Sequence, residues 1–193
     1  MNLVLASGSP RRREVLDALG LRFEVVVPDV DETRNPGEAP ADYVDRIARA
    51  KARTVSTGDR VVVAADTTVV HQGKVLGKPG HPEEARSMLR TLQGTSHEVF
   101  TGLAVAVENP DLDIVSIVEG TEVEMLSMTE EEIARYVESG EPMDKAGAYA
   151  LQGSGSLYVK AVHGSPSNVV GMPVHLLPRL LGRIGHELDE FRV

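Results

Sequence analysis

Cysteine and tryptophan are absent from the 193-residue chain, and phenylalanine and tyrosine are sparse at three and four. Without cysteine there is no disulfide and no thiolate metal site. Any metal must therefore be held by oxygen or imidazole, and the composition is compatible with a reducing cytoplasm. So few rings leave little on which to stack bases. A net charge of −9 with a pI near 5.2 repels phosphate backbones and anionic membranes, so neither nucleic acid nor membrane is expected as a partner. No apolar run approaches the roughly 18 residues of a membrane span. The first residues carry no basic stretch ahead of their four apolar ones and no cleavage pattern after them, so export is not expected and a cytoplasmic location is. The six histidines show no H-E-x-x-H spacing, and there is no G-x-x-x-x-G-K-[ST], no G-x-G-x-x-G after a strand and no G-x-S-x-G. An imidazole zinc site, a P-loop, a dinucleotide-binding turn and a serine hydrolase all lack support.

What is present is an alternation of short apolar runs and amphipathic stretches. Leu3 to Ala6 reads as a buried strand. A helix over 10–19 follows, with Ser9 at the N-cap, Pro10 at the first helical position, and Val15, Leu16 and Leu19 as its apolar stripe before Gly20. A strand over 23–27 leads into a polar loop from Pro28 to Ala39. The next helix runs from Pro40 to about Thr57, with Tyr43, Ile47, Ala50 and Thr54 near one face. Val61 to Val70 is apolar except for Asp66, Thr67 and Thr68, the pattern of a buried strand. His71-Gln72-Gly73-Lys74 forms a tight turn into Val75 and Leu76, and Pro82 opens a helix with Ala85, Met88, Leu89 and Leu92 inward. Strands are expected over 98–107 and 114–127, then a T-x-x-E capping box at Thr129 and Glu132 ahead of Ile133, Tyr136 and Val137. A strand from Leu157 to Val162 and a last helix from about Pro173 complete the pattern. This is an α/β chain with a mixed sheet because some strand connections are short. The length suits one core or two lobes on one sheet, and a single domain over 1–193 is expected, without repeat or linker.

Five constellations could carry chemistry, each with a plainer alternative. Arg11, Arg12 and Arg13 put three cations where a helix begins. There, free N–H groups and the positive dipole end already favour anions, so the cluster is either a phosphate site or a solvated basic turn. Asp66 sits in an apolar run, where a carboxylate needs a cation, a metal or strong hydrogen bonds, unless it caps a turn at a strand end through the neighbouring threonines. Asp29, Asp31 and Glu32 offer the oxygen ligands that Mg²⁺ or Mn²⁺ prefers, or form a solvated acidic loop. Lys51, close to an apolar helix face, and Lys78, on a stiff loop before Pro79, could reach an anion or simply be solvated. The segment from Glu141 to Gly153 packs a carboxylate, the Asp144-Lys145 pair, small residues and Gln152 together. It is either a ligand-binding turn, with Gln152 reading a base edge, or a helix end. Gly153-Ser154-Gly155-Ser156 reads as a turn or a mobile loop beside a ligand.

The order and spacing of Leu5-Ala6-Ser7-Gly8-Ser9-Pro10-Arg11-Arg12, Asp31-Glu32, Lys51, Ala65-Asp66-Thr67, Gly77-Lys78-Pro79, Glu141 to Gly153 and Asn168-Val169-Val170-Gly171-Met172-Pro173 closely resemble the Maf family of nucleoside triphosphate pyrophosphatases. The resemblance runs from residue 3 to about 180. It implies a long mixed central sheet flanked by helices, with two lobes around a cleft, the architecture shared with inosine triphosphatases; homodimers are common in that group. It implies Asp66 as proton acceptor and metal-associated acid, and Glu32 as a second acid beside a divalent cation, Mg²⁺ or Mn²⁺. Ser9, Arg12, Arg13, Lys51 and Lys78 are then expected to hold the triphosphate, and Asp144 and Lys145 to form the polar part of the pocket. Arg11, Thr67 and Gln152 occupy three positions that separate substrate groups. They look like the dTTP and UTP group, whereas the methylated-GTP group tends to carry Trp, Gln and Glu. The implied reaction is metal-assisted attack of water on the α-phosphorus, releasing nucleoside monophosphate and pyrophosphate, as nucleotide-pool house-cleaning. The competing readings are a nucleotide-binding regulator of cell division and septum formation without significant turnover, and a pyrophosphatase of the methylated-GTP group. Pro166 departs from the tyrosine that many relatives carry, and residues 185–193 match no motif.

Overall fold

Strand β1 (Asn2–Ala6) runs parallel to β2 (Phe23–Val26) on one side and to β3 (Arg60–His71) on the other, pairing Leu3 with Phe23 and with Val61. These elements come from a computed structural model, which describes residues 2–108 and 110–193. With β4 (Lys74–Leu76), β5 (Ser96–Glu108), β6 (Leu112–Met125) and β7 (Val159–His163), they make one seven-stranded sheet of order β2-β1-β3-β5-β6-β7, with β4 paired to β3. The β3–β4 and β6–β7 pairs are antiparallel, so the sheet is mixed as expected. The helices are α1 (Pro10–Ala18), α2 (Pro40–Val55), α3 (Pro82–Leu92), α4 (Glu130–Glu138), α5 (Pro166–Val169) and α6 (Leu177–Arg183). Among the described residues no helix is long and apolar enough to cross a membrane.

The chain forms two compact units. One takes the chain up to Asp66 with Thr101–Glu119 and Gly171–Val193; the other takes Thr67–Phe100 and Gly120–Val170. In the first unit, strand periodicity divides the core between two faces. Leu3, Leu5, Val61, Val63, Ala65, Leu103 and Val105 pack with Leu16 of α1, Met172 and the leucines of α6. Val4, Ala6, Val62, Ala64, Ala104 and Ala106 pack with Ala48, Ala52 and Val55 of α2. That second face is built of small residues, and a side chain on Gly102 would collide with the Val44 backbone, so α2 lies unusually close to its strands.

The expected face of α2 is corrected. The buried residues are Val44, Ile47, Ala48, Lys51, Ala52 and Val55, whereas Tyr43 and Ala50 are only partly covered and Thr54 is exposed. Counting Lys51 as polar displaces the stripe, because its aliphatic stem packs like an apolar side chain. The chain's last segment also has a role that no motif announced. Phe191 is buried in the first unit's core, the Arg22 N–H donates to Phe191 O (2.7 Å), and the Val193 N–H donates to Gly20 O (3.0 Å).

The second unit has its own core: Val69, the α3 stripe Ala85, Met88, Leu89 and Leu92, and Ile133, Tyr136 and Val137 of α4. The β3–β4 hairpin turns through Gln72 and Gly73, both at positive φ, which is the primed two-residue turn that suits strand twist. Both halves of the Thr129–Glu132 capping box form. Strand β7 starts at Val159 rather than Leu157, because Gly153–Tyr158 is a 3-10 turn. The last helix starts at Leu177 after a 3-10 turn over Val174–Leu176; Pro178, which has no N–H, sits in its first turn. Pro166 opens α5, and Ser165 caps it by accepting from the Asn168 N–H (3.3 Å), so proline fits its local geometry.

Candidate functional site

Asp66 follows Val62 and Ala64 at period two, so it belongs to the strand face that α2 covers, and Lys51 belongs to the buried stripe of α2. The two meet. Lys51 Nζ lies 2.7 Å from Asp66 Oδ1 and 2.7 Å from Glu32 Oε1, so one ammonium joins carboxylates from a strand and a loop. Asp66 is 6% exposed and Lys51 7%. Asp66 is thus neither at a strand end nor capping a turn. Burial pushes its carboxyl above the usual range. The Lys51 ammonium and the Arg12 guanidinium offset part of that shift, and Glu32 adds to it.

Arg12 does not fit the solvated-turn alternative. It is buried; its Nε donates to Gly171 O (2.8 Å) and its Nη1 to Ser7 Oγ (3.3 Å), and Ser7 Oγ also accepts from the Ser9 N–H (3.1 Å). Burial lowers its pKa, and the field of Asp66 partly restores it. Ser9 occupies the N-cap position of α1, but its hydroxyl makes no capping bond. Arg11 is partly buried in the same turn. Arg13 does not join the cluster: it is exposed and pairs loosely with Asp17 at 3.6 Å, one helical turn on.

Of the acidic loop, only Glu32 reaches Lys51. Asp31 Oδ1 accepts the Thr33 N–H (2.8 Å), an Asx turn, and Asp29 is exposed. The loop is pinned from α2. Tyr43 donates its hydroxyl to Glu32 O (3.0 Å), and Arg46 donates to Thr33 O (3.0 Å) and grips the Glu38 carboxylate with Nε and Nη2 (2.6 and 2.8 Å).

The remaining expected site residues belong to the second unit. Thr67 is partly buried on β3. Lys78 is exposed in the loop after β4, whose Gly77 carbonyl accepts the Gly147 N–H (3.1 Å). Lys145 Nζ donates to Asp144 Oδ1 and to Glu141 O, both at 2.6 Å. Gln152 is exposed and extended, directly before Gly153 at φ +75°. Buried Asn168 donates to Val99 O (3.0 Å) and to Thr121 Oγ1 (2.9 Å).

A model of the family described as Maf-like protein matches residues 2–184. The chain belongs to the Maf family. It is 54% identical over 187 residues to the dTTP/UTP pyrophosphatase of Anaeromyxobacter dehalogenans, covering 96% of this chain and 95% of that one. It is 44% identical over 193 residues to the dTTP/UTP pyrophosphatase of Bacillus anthracis, covering 99% and 96%. The Staphylococcus aureus Ham1 protein superposes with a TM-score of 0.48 at 14% identity over 95% of this chain and 100% of that one, too remote to carry an argument.

The Maf motifs around Ser7, Arg12, Glu32, Lys51, Asp66 and Gly171 therefore converge within the first unit, although Arg12 and Gly171 lie 159 residues apart. Whether these residues suit a divalent cation can be judged from their donors. Among the described residues no group of three or more acidic or histidine side chains gathers to hold a metal ion. Mg²⁺, however, is commonly held by one or two carboxylates, completing its shell with water and phosphate oxygens. Glu32 and Asp66, drawn to one ammonium, fit that pattern and no all-protein cage. Sequence reasoning missed the anchoring roles of Ser7, Tyr43 and Arg46, because a hydrogen bond to a carbonyl or between two nearby side chains leaves no periodic signature.

Proposed function

We propose that this chain hydrolyses nucleoside triphosphates, dTTP and UTP foremost, to the monophosphate and pyrophosphate. The observation that carries the reading is the buried Lys51 ammonium shared by Asp66 and Glu32, with Arg12 held beside them by Ser7 and Gly171. The names of the relatives support the choice of substrate.

Water attacks the α-phosphorus, the bond from that phosphorus to the bridging oxygen breaks, and pyrophosphate leaves. Asp66 takes the proton of the attacking water. Its Oδ1 is held by Lys51, its second oxygen accepts no hydrogen bond among the described residues, and its raised pKa makes it a better base than an ordinary aspartate. Lys51 and Arg12 place fixed positive charge where negative charge accumulates, and Lys78 adds a further ammonium for the phosphates. The Ser9 hydroxyl, which makes no capping bond, and the N-terminal end of α1 suit a phosphate oxygen. A divalent cation bound by Asp66 and Glu32 would offset charge on the triphosphate and lower the pKa of the water. Thr67 and Gln152, with Arg11, read the base, their hydroxyl and carboxamide matching the O4 acceptor and N3–H donor shared by uracil and thymine.

The test is pyrophosphate release with Mg²⁺ or Mn²⁺ across dTTP, UTP, CTP, methylated GTP and the ordinary purine triphosphates. Release from dTTP and UTP above the others is expected. dTTP bound but intact after long incubation would replace this reading with that of a nucleotide sensor, and preference for methylated GTP would overturn the base assignment.

A further inference from the structure

Glu141 stands outside the chemistry above, yet its carboxylate is among the most heavily hydrogen-bonded among the described residues. Oε1 accepts the Tyr136 hydroxyl (2.9 Å) and the Gly155 N–H (2.9 Å), and Oε2 accepts the Ser154 N–H (3.0 Å). The Tyr136 oxygen in turn accepts the Ala150 N–H (3.1 Å). Backbone on both sides of Gln152 is therefore tied to one phenol in the last turn of α4 and one carboxylate that opens the 3-10 turn Glu141–Asp144. The fit leaves no spare room. A Cβ on Gly153 would stand 2.8 Å from Glu141 Oε2, and one on Gly155 would collide with the Tyr136 hydroxyl and the Ala150 carbonyl. Gly153 at φ +75° then lets the chain double back so that its next two N–H groups reach the carboxylate.

We infer that Glu141, with Tyr136, is a positioning residue for base selection, holding the 150–155 turn so that the Gln152 carboxamide meets the base in one orientation. The inference rests on Gln152 reading the base. A carboxamide carries both a donor and an acceptor, so turned over it would suit the N3 acceptor and N4 donors of cytosine as well as it suits uracil. The amide's own rotation must also be fixed by its partners, but those partners meet it only if the backbone beneath holds the side chain in one place, and Glu141 supplies that anchorage. The tyrosine and the two glycines serve the same fixture.

The experiment compares kcat/KM for dTTP and CTP in wild type, Glu141→Gln, Tyr136→Phe and Gln152→Ala, with thermal melts of each. Glu141→Gln places an amide where two backbone N–H groups and a phenol require acceptors. It should reduce the dTTP preference by about 10-fold, chiefly through KM for dTTP, with kcat within about threefold of wild type. Tyr136→Phe, which keeps the ring packing, should shift the ratio the same way by less, and carries the test should Glu141→Gln not fold. If Gln152→Ala lowers the ratio but both fixture variants leave it unchanged, the inference is overturned while the base assignment stands. If Gln152→Ala itself leaves the ratio unchanged, the base assignment falls and takes the inference with it. Equal loss of kcat on both substrates, tracking a lowered melting temperature, would make Glu141 merely structural and also overturn it.

Discussion

Asp66 and Glu141 are both withdrawn from water, but in different ways. Asp66 lies on a β3 face of small apolar side chains and is balanced by one ammonium on one oxygen. Glu141 is balanced by two backbone N–H groups and a hydroxyl spread over both oxygens. Their acidities move apart accordingly. Burial dominates at Asp66 and pushes its carboxyl up. At Glu141 burial acts in the same sense, but the donations from Gly155, Ser154 and Tyr136 together outweigh it, and the carboxyl falls below its ordinary value. A carboxylate saturated with donors is a structural fastener. One left under-solvated with an oxygen to spare suits the base proposed for Asp66.

The sharpest way to break this contrast is to remove each charge while keeping its shape. Asp66→Asn should cost about 10³-fold or more in pyrophosphate release, the range of a lost general base, while circular dichroism stays native because Lys51 keeps Glu32. Near-normal turnover in that variant would remove Asp66 from the chemistry. Lys51→Met comes next. Stripping a buried carboxylate of its cation should destabilise the fold by about 3–5 kcal/mol in denaturant melts. A change under about 1 kcal/mol would mean that Asp66 is neutral or hydrated in the resting protein.

The two carboxylates should also separate along the pH axis. The base must be ionised, so kcat/KM should fall as pH drops through a value above the ordinary aspartate 3.8. The folded pKa of Glu141 is lowered, so its contribution to stability is complete above the ordinary 4.5 and is lost only as pH falls through its lower folded value. On acidification, activity should therefore decline before the near-ultraviolet signal of Tyr136 changes; the reverse order would contradict the assignment. The smallest effect belongs to the turn. Gly153→Ala, forced into a left-handed backbone and against Glu141, should cost about 1–2 kcal/mol in thermal stability.

Much of the Lys51–Asp66–Arg12 cluster was legible because its residues break local rules. A carboxylate inside Val61–Val70 and arginines at a helix start each contradict their surroundings, and such conflicts mark sites. The phase of α2 was not legible, since Lys51 counts as polar in any periodicity while its stem is buried. The Glu141 fixture was visible only as a dense segment, because backbone N–H partners carry no residue identity. Gly171 as the acceptor for Arg12, and Phe191 as a core residue beyond the last motif, depend on chain crossings that local pattern does not encode.

The most direct test of the central claim is hydrolysis of dTTP by the wild-type chain in water labelled with heavy oxygen, followed by mass spectrometry of both products. Attack at the α-phosphorus puts the label in dTMP and leaves pyrophosphate unlabelled. Label in pyrophosphate, or release of orthophosphate in its place, would contradict a water activated by Asp66 at that phosphorus.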